Sequence, residues 1–222
     1  MILRHLGQMV LMLAAVNLAA SIAAKPGHAE VSPGPIHVVA LGDSLTAGLG
    51  LGAADALPAV LQRLLTSKGH QVEIQNAGVS GDTTAGGLAR LDWAVPEGTQ
   101  AVILALGAND MLGGLDVQRA RNNLEAIIRR LQARNIAVLL LGMRASRTLG
   151  DSYADAFDRM FPELADKYGL ILYPFLLDGV ALDPKLNQQD GIHPNAEGVR
   201  RIAERMLPFV EKLLARVKSE RS

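Results

Sequence analysis

Hydrophobic and polar positions along this chain follow two different rhythms. Short blocks of consecutive apolar residues alternate with longer stretches in which apolar residues recur at helical spacing. The blocks Ile36–Leu41, Val72–Asn76, Ala101–Leu106, Ile136–Leu141 and Leu170–Tyr173 read as strands. Between them, Pro58–Lys68 places Val60, Leu61, Leu64 and Leu65 on one helical face and stops at Gly69. Thr83–Trp93 also reads as helix. Leu115–Arg134 carries Leu124, Ile127, Ile128 and Leu131 at i, i+3, i+4 and i+7. Ser152 is expected to cap a helix that turns Tyr153, Phe157, Met160, Phe161 and Leu164 inward and ends at Gly169. A last helix, Ala196 to Val217, is expected to kink at Pro208. Trp93 and Phe161 are expected in the core.

Strands that alternate with helices, and that are apolar throughout, need cover on both faces. The expected architecture is therefore α/β: three layers, α/β/α, with a five-stranded parallel sheet in an open flavodoxin-like order. Ligands of such sheets sit beyond the C-terminal ends of the strands, near the point where the strand order reverses. No internal repeat or linker interrupts the pattern, so residues 30–222 read as one domain.

The first 29 residues follow another pattern. Arg4 and His5 precede the apolar run Met9–Val16, which Leu18–Ala24 extends, and small residues follow. Met1–Ala29 reads as a signal peptide, with cleavage after Ala29, Ala23 or Ala24. A membrane anchor is the competing reading, weakened by the interruptions at Gly7, Gln8, Asn17 and Ser21. The expected location is the periplasm or the exterior, with no stable membrane insertion after cleavage.

Composition narrows the chemistry. The chain has no Cys, which removes disulfide scaffolds, thiolate metal sites and a Cys nucleophile. Lys+Arg and Asp+Glu are both 22, so there is no basic field to gather nucleic acid. The charges of the last helix, Arg200, Arg201, Arg205, Lys212 and Arg216, are interleaved with Glu197, Glu204 and Glu211 as on a solvated face. Aromatic residues are 4 %, too few for stacking platforms. His37 and His70 lack partners at metal-ligand spacing, so neither a metal nor another cofactor is expected.

The strand ends carry the polar residues. Gly42-Asp43-Ser44-Leu45 follows the first strand, Asn76 to Asp82 the second, and Gly107-Ala108-Asn109-Asp110 the third. Asp190-Gly191-Ile192-His193-Pro194 precedes the last helix. Each block alone fits capping or turn chemistry. Together they supply the parts of a nucleophilic site. A serine must lose its proton on attack, and His is the commonest base. Asp190, three residues before His193, is placed to orient it. The backbone N–H groups of Ser44 and Gly81 and the side-chain amide of Asn109 can supply oxyanion donors.

These four blocks, in this order and spacing, resemble the GDSL esterases of the SGNH hydrolase superfamily. The resemblance covers essentially the whole of residues 30–222. It is nearest to the small periplasmic branch of acyl-CoA thioesterases, lysophospholipases and arylesterases; Ser146–Tyr168 and Phe175–Val180 share that likeness. The resemblance implies Ser44 as nucleophile, His193 as base and then acid, and Asp190 as its orienter. Gly81 and Asn109 would complete the oxyanion hole, and Asp43 would be structural. The implied substrates are small acyl esters or thioesters, lysophospholipids among them. One stretch departs from the branch. After the fourth strand it usually carries prolines and an asparagine, whereas here it reads Ala145-Ser146-Arg147-Thr148-Leu149-Gly150. In the family that loop shapes the acyl pocket, so Arg147 adds a charge there without an evident purpose.

Four competing readings remain. The stretch Gly48–Ala53 matches a dinucleotide fingerprint, but it starts seven residues beyond Leu41 and the second strand lacks the ribose-binding acid; a flexible lip beside Ser44 is the expected role. Asp82 is expected to cap the helix after it rather than to touch substrate. At the level of function, the alternatives are a carbohydrate acetylesterase using the same triad, and a non-catalytic flavodoxin-like binding module.

Overall fold

Alternation in Val72–Asn76 against unbroken apolarity in Ala101–Ala105 already separates an edge strand from a central one. A computed structural model of the protein describes residues 34–221. The expected signal peptide lies outside them. Five parallel strands form one sheet in the order β2-β1-β3-β4-β5. They are β1 (Ile36–Gly42), β2 (Val72–Gly78), β3 (Ala101–Ala105), β4 (Ala137–Leu141) and β5 (Ile171–Tyr173). Every residue of β3 and β4 is buried, whereas β2 buries Val72 and Ile74 and exposes Glu73 and Gln75. Central strands are covered on both faces and need apolar side chains on both; the edge strand needs them on one.

The helices are α1 (Ser44–Ala47), α2 (Leu57–Ser67), α3 (Thr84–Ala89), α4 (Leu91–Ala94), α5 (Ala108–Leu112), α6 (Val117–Ala133), α7 (Asp151–Tyr168) and α8 (Ala196–Arg221). α2 packs with α8 on one side of the sheet; α3, α6 and α7 pack together on the other. This is the three-layer α/β/α arrangement that the apolar pattern demanded. The α6 stripe Leu124, Ile127, Ile128 and Leu131 is buried as the spacing required. Phe157 and Phe161 of α7 meet edge to face at 5.4 Å between ring centroids. No helix of the described residues is long and apolar enough to cross a membrane.

Three local expectations fail, each for a physical reason. Thr83–Trp93 is two short helices, broken at Arg90, whose side chain turns into the sheet edge to reach Asp82 and Gly42. Trp93 is 71 % exposed: α4 buries Leu91 and Ala94, one turn apart, and that phase points Trp93 outward, where the Arg90 guanidinium lies 5.9 Å from its ring centroid. Ser152 is not a cap; Gly150, at φ 92°, turns the chain so that α7 begins at Asp151, whose charge suits the first turn. Asn109-Asp110, which alone would fit a turn, lie in the short helix α5, entered through Gly107. α8 runs four residues past the expected end, to Arg221, with Pro208 inside it.

The chain leaves β1 outward to β2, then crosses back past β1 to β3. The strand order therefore reverses between β1 and β3, and the crevice beyond their carboxyl ends is the natural ligand site.

Candidate active site

That crevice receives the ends of β1, β2 and β3 and the loop before α8. Asp43 ends β1 as the N-cap of α1, its carboxylate accepting the Leu45 N–H at 3.0 Å. That cap leaves the N–H of Ser44, at the start of α1, available. Gly42 must lack a side chain: a Cβ there would lie 2.1 Å from Thr46 Oγ1 and 2.8 Å from the Ala105 carbonyl oxygen. Burial pushes the Asp43 carboxyl up to about 6, against the opposing pull of the Leu45 N–H and of His193.

Opposite Ser44, Asp190 folds its own loop. Its Oδ1 accepts the N–H groups of Ile192 and His193, each at 3.0 Å. Its Oδ2 lies 2.6 Å from Nδ1 of His193. The His193 N–H and ring, then the Ile192 N–H, hold the Asp190 carboxyl down at about 2. An ionised carboxylate can only accept, so Nδ1 carries the proton and Nε2 is left as an acceptor. Nε2 lies 2.9 Å from Ser44 Oγ. Asn195 closes the loop from the other side by capping α8 through the N–H groups of Glu197 and Gly198.

Gly81 and Asn109 arrive from β2 and β3. Gly81 adopts φ 82°, a conformation that favours glycine, and a Cβ there would meet nothing within 4 Å. The Asn109 amide donates one N–H to the Asp82 carbonyl at 2.8 Å, which leaves its second N–H free to turn toward the crevice. The two segments are further locked below the surface. Asp110, buried, accepts the Thr84 N–H at 2.8 Å and its hydroxyl at 2.6 Å.

Asp82 does not cap α3; Thr83 does, accepting the Gly86 N–H. Asp82 instead pairs with Arg90 at 2.6 Å, and a second arm of that guanidinium donates to the Gly42 carbonyl at 2.9 Å. Arg90 thereby ties the end of β1 to the loop after β2. Sequence reading passed it over, although a lone cation beside the small apolar residues of α3, eight positions after an acid, was the available signal.

Ser44, Gly81, Asn109 and His193 all border one cavity of about 590 Å³. Its walls are largely apolar, with Met111, Leu112, Met143, Phe175, Leu177 and Leu182 among them. Of the loop Ala145–Gly150, Ala145 and Ser146 supply part of this wall and Arg147 does not. Arg147 faces α7, where it pairs with Asp155 and lies 3.5 Å from Asp158. Arg144, three residues beyond β4, lines the cavity instead. The rule that directed attention to strand ends would have reached it. The Gly48–Ala53 stretch is a lip but not a loose one: Gln188 donates to the Leu49 carbonyl at 2.8 Å, and Gly50 packs on the Gln188 side chain. Among the described residues no cluster of three or more His, Asp or Glu could hold a metal.

Residues 40–201 match the GDSL-like lipase/acylhydrolase family. The chain belongs to that family. Among its relatives, esterase TesA of Pseudomonas aeruginosa is 36 % identical over 178 residues, covering 80 % of this chain and 89 % of that protein. Thioesterase 1/protease 1/lysophospholipase L1 of Escherichia coli K12 is 37 % identical over 175 residues, 78 % of this chain and 83 % of that one. The crystal structure of AlinE4, an SGNH-hydrolase family esterase, superposes with a TM-score of 0.69 at 44 % identity, covering 82 % of this chain and 98 % of that one. This GDSL hydrolase is thus an enzyme that cleaves ester bonds, with esterases and thioesterases as its relatives.

Proposed function

We propose that this GDSL hydrolase cleaves acyl esters and thioesters through an acyl-enzyme on Ser44. The observation that carries the reading is the relay Asp190–His193–Ser44, with 2.6 Å and 2.9 Å at its two links. Ser44 Oγ attacks the acyl carbonyl while its proton passes to His193 Nε2. The oxyanion that forms accepts from the N–H of Ser44, the N–H of Gly81 and the free N–H of Asn109. Its collapse breaks the bond to the alcohol or thiol, which takes the proton from His193. Water then attacks the acyl-enzyme by the same route and releases the carboxylic acid. Asp190 stays ionised throughout and holds the imidazole in the tautomer that can accept.

The apolar cavity suits an acyl chain, so small esters, thioesters and lysophospholipids are the substrate class, ahead of acetylated polysaccharides. The Met1–Ala29 pattern supports export to the periplasm or beyond, with residues 30–222 as the working domain.

A fluorophosphonate probe should label the protein and not its Ser44→Ala variant. The variant should also lose turnover on nitrophenyl acetate and a decanoyl thioester. Label that persists on Ser44→Ala refutes the nucleophile, and faster cleavage of acetyl-xylan than of either ester refutes the substrate class.

A further inference from the structure

Among the described residues that border the cavity, Arg144 is the single lysine or arginine, and none is an acid. Arg144 follows β4, which is two strands from β1 along the carboxyl edge of the sheet. At about 4.8 Å between strands, the end of β4 that leads to it lies about 10 Å from the strand that delivers Ser44.

The surroundings of this guanidinium differ from those of its neighbour. Arg147 is neutralised by Asp155, Asp158 and Asp151 of α7. Arg144 makes no ion pair among the described residues; its guanidinium lies 5.0 Å from the centroid of the Phe175 ring. An aromatic face steadies the planar group and leaves its N–H edge unspent. The guanidinium is exposed to solvent, so an anionic partner would gain a charge-assisted hydrogen bond from it that salt can screen.

We propose that Arg144 is a specificity residue that favours substrates carrying an anionic group, a carboxylate or a phosphate, several bonds from the reacting carbonyl. The proposal rests on the reading of Ser44 as the acyl-accepting group. It concerns what the substrate carries beyond the ester.

Three esters with one chromophore test it: 4-nitrophenyl butyrate, 4-nitrophenyl hemisuccinate and 3-carboxy-4-nitrophenyl butyrate. The first is neutral, the second is anionic on the acyl arm, and the third on the leaving group. For at least one anionic ester, the ratio of its kcat/KM to that of the neutral ester should fall about tenfold in Arg144→Gln, the worth of one charge-assisted hydrogen bond. Arg144→Lys should retain part of the ratio, since it keeps charge and loses the fork. Rising ionic strength should shrink the wild-type ratio and leave that of Arg144→Gln flat. Whichever anionic ester responds identifies the side of the substrate that Arg144 reads. Equal ratios in wild type and Arg144→Gln for both anionic esters overturn the proposal. If the wild type cleaves none of the three, the Ser44 reading fails first; if it cleaves the neutral ester and the ratios do not move, only the role of Arg144 falls.

Discussion

The two walls of the cavity are built on opposite principles. The wall that presents Ser44, Gly81 and Asn109 is fastened from beneath by buried polar groups. Arg90 joins Asp82 to the Gly42 carbonyl, Asn109 joins the Asp82 carbonyl, and Asp110 joins Thr84. The rim carries Leu49, Leu112, Leu182 and Ile192, between 46 % and 90 % exposed. The loop behind Arg144 is fastened by surface ion pairs. Charge development in a transition state needs donors that do not move, and buried bonds in a low-dielectric interior supply that rigidity. A variable acyl or leaving group needs contact area and adaptable side chains, which exposed loops supply at the expense of stability.

The largest effect should come from cutting the first kind of fastening. Asp82 and Arg90 are both nearly buried, at 11 % and 8 % side-chain exposure. Arg90→Met strands a buried carboxylate and should cost about 3–5 kcal/mol. For a domain of this size that is a fall in Tm of about 6–20 °C. Adding Asp82→Leu should recover most of the loss, because an apolar pair replaces an ion pair at little cost. A single variant within about 1 kcal/mol of wild type would show that the wall is held by something other than this clamp.

What could be read from sequence divides along the same line. The strands were legible because a sheet covered on both faces leaves β3 and β4 no polar option. That Ser44, Gly81, Asn109 and His193 would meet at one crevice was legible because a relay and its oxyanion donors would need such side chains, and the strand-end rule said where to look. Arg90 was not, because its one local signal, an acid eight positions earlier, does not by itself distinguish a clamp that spans 48 positions to Gly42 from a surface cation. Trp93 was misplaced by its apolarity; the phase of α4, set by Leu91 and Ala94, decides its direction. The rim was not legible either. Leu182 and Ile192 look like core residues until the turns that carry them are known to face solvent.

A moderate effect should separate the two carboxylates of the site by pH. Asp190 is held down at about 2, so its contribution to stability is present above pH 3.8 and is lost as pH falls toward 2. Asp43 is pushed up to about 6 from 3.8, so its contribution is present below pH 3.8 and is lost as pH rises through 6. His193 and Asp82 face Asp43 with opposite effect, His193 lowering its pKa and Asp82 raising it. The desolvation of Asp43 should therefore remove about 2–3 kcal/mol between pH 4 and pH 7. Melting curves of wild type and Asp43→Asn over that interval should converge at the acid end and separate at the neutral end, the wild type declining. Parallel curves would mean that Asp43 is solvated more than its 2 % exposure implies.

The smallest effect probes the rim itself. Leu182 holds φ at 64°, in the left-handed region, while 90 % of its surface is exposed. A side chain in that region costs roughly 1–2 kcal/mol, and folding a glycine costs roughly 0.5–1 kcal/mol more than folding a residue with a Cβ. Little packing is at stake in so exposed a position, so Leu182→Gly should stabilise the fold by about 0.5–1 kcal/mol, or roughly 1–4 °C in Tm. The same change removes apolar surface from the mouth of the cavity, and KM for a decanoyl ester should rise while that for an acetyl ester stays level. A variant that melts lower than wild type would show that Leu182 is packed on the rim and strengthens it. A variant that melts higher with both KM values unchanged would detach Leu182 from substrate binding. A gain in Tm joined to a loss on the long ester alone is the signature of a residue held in a strained, exposed position where the acyl chain passes.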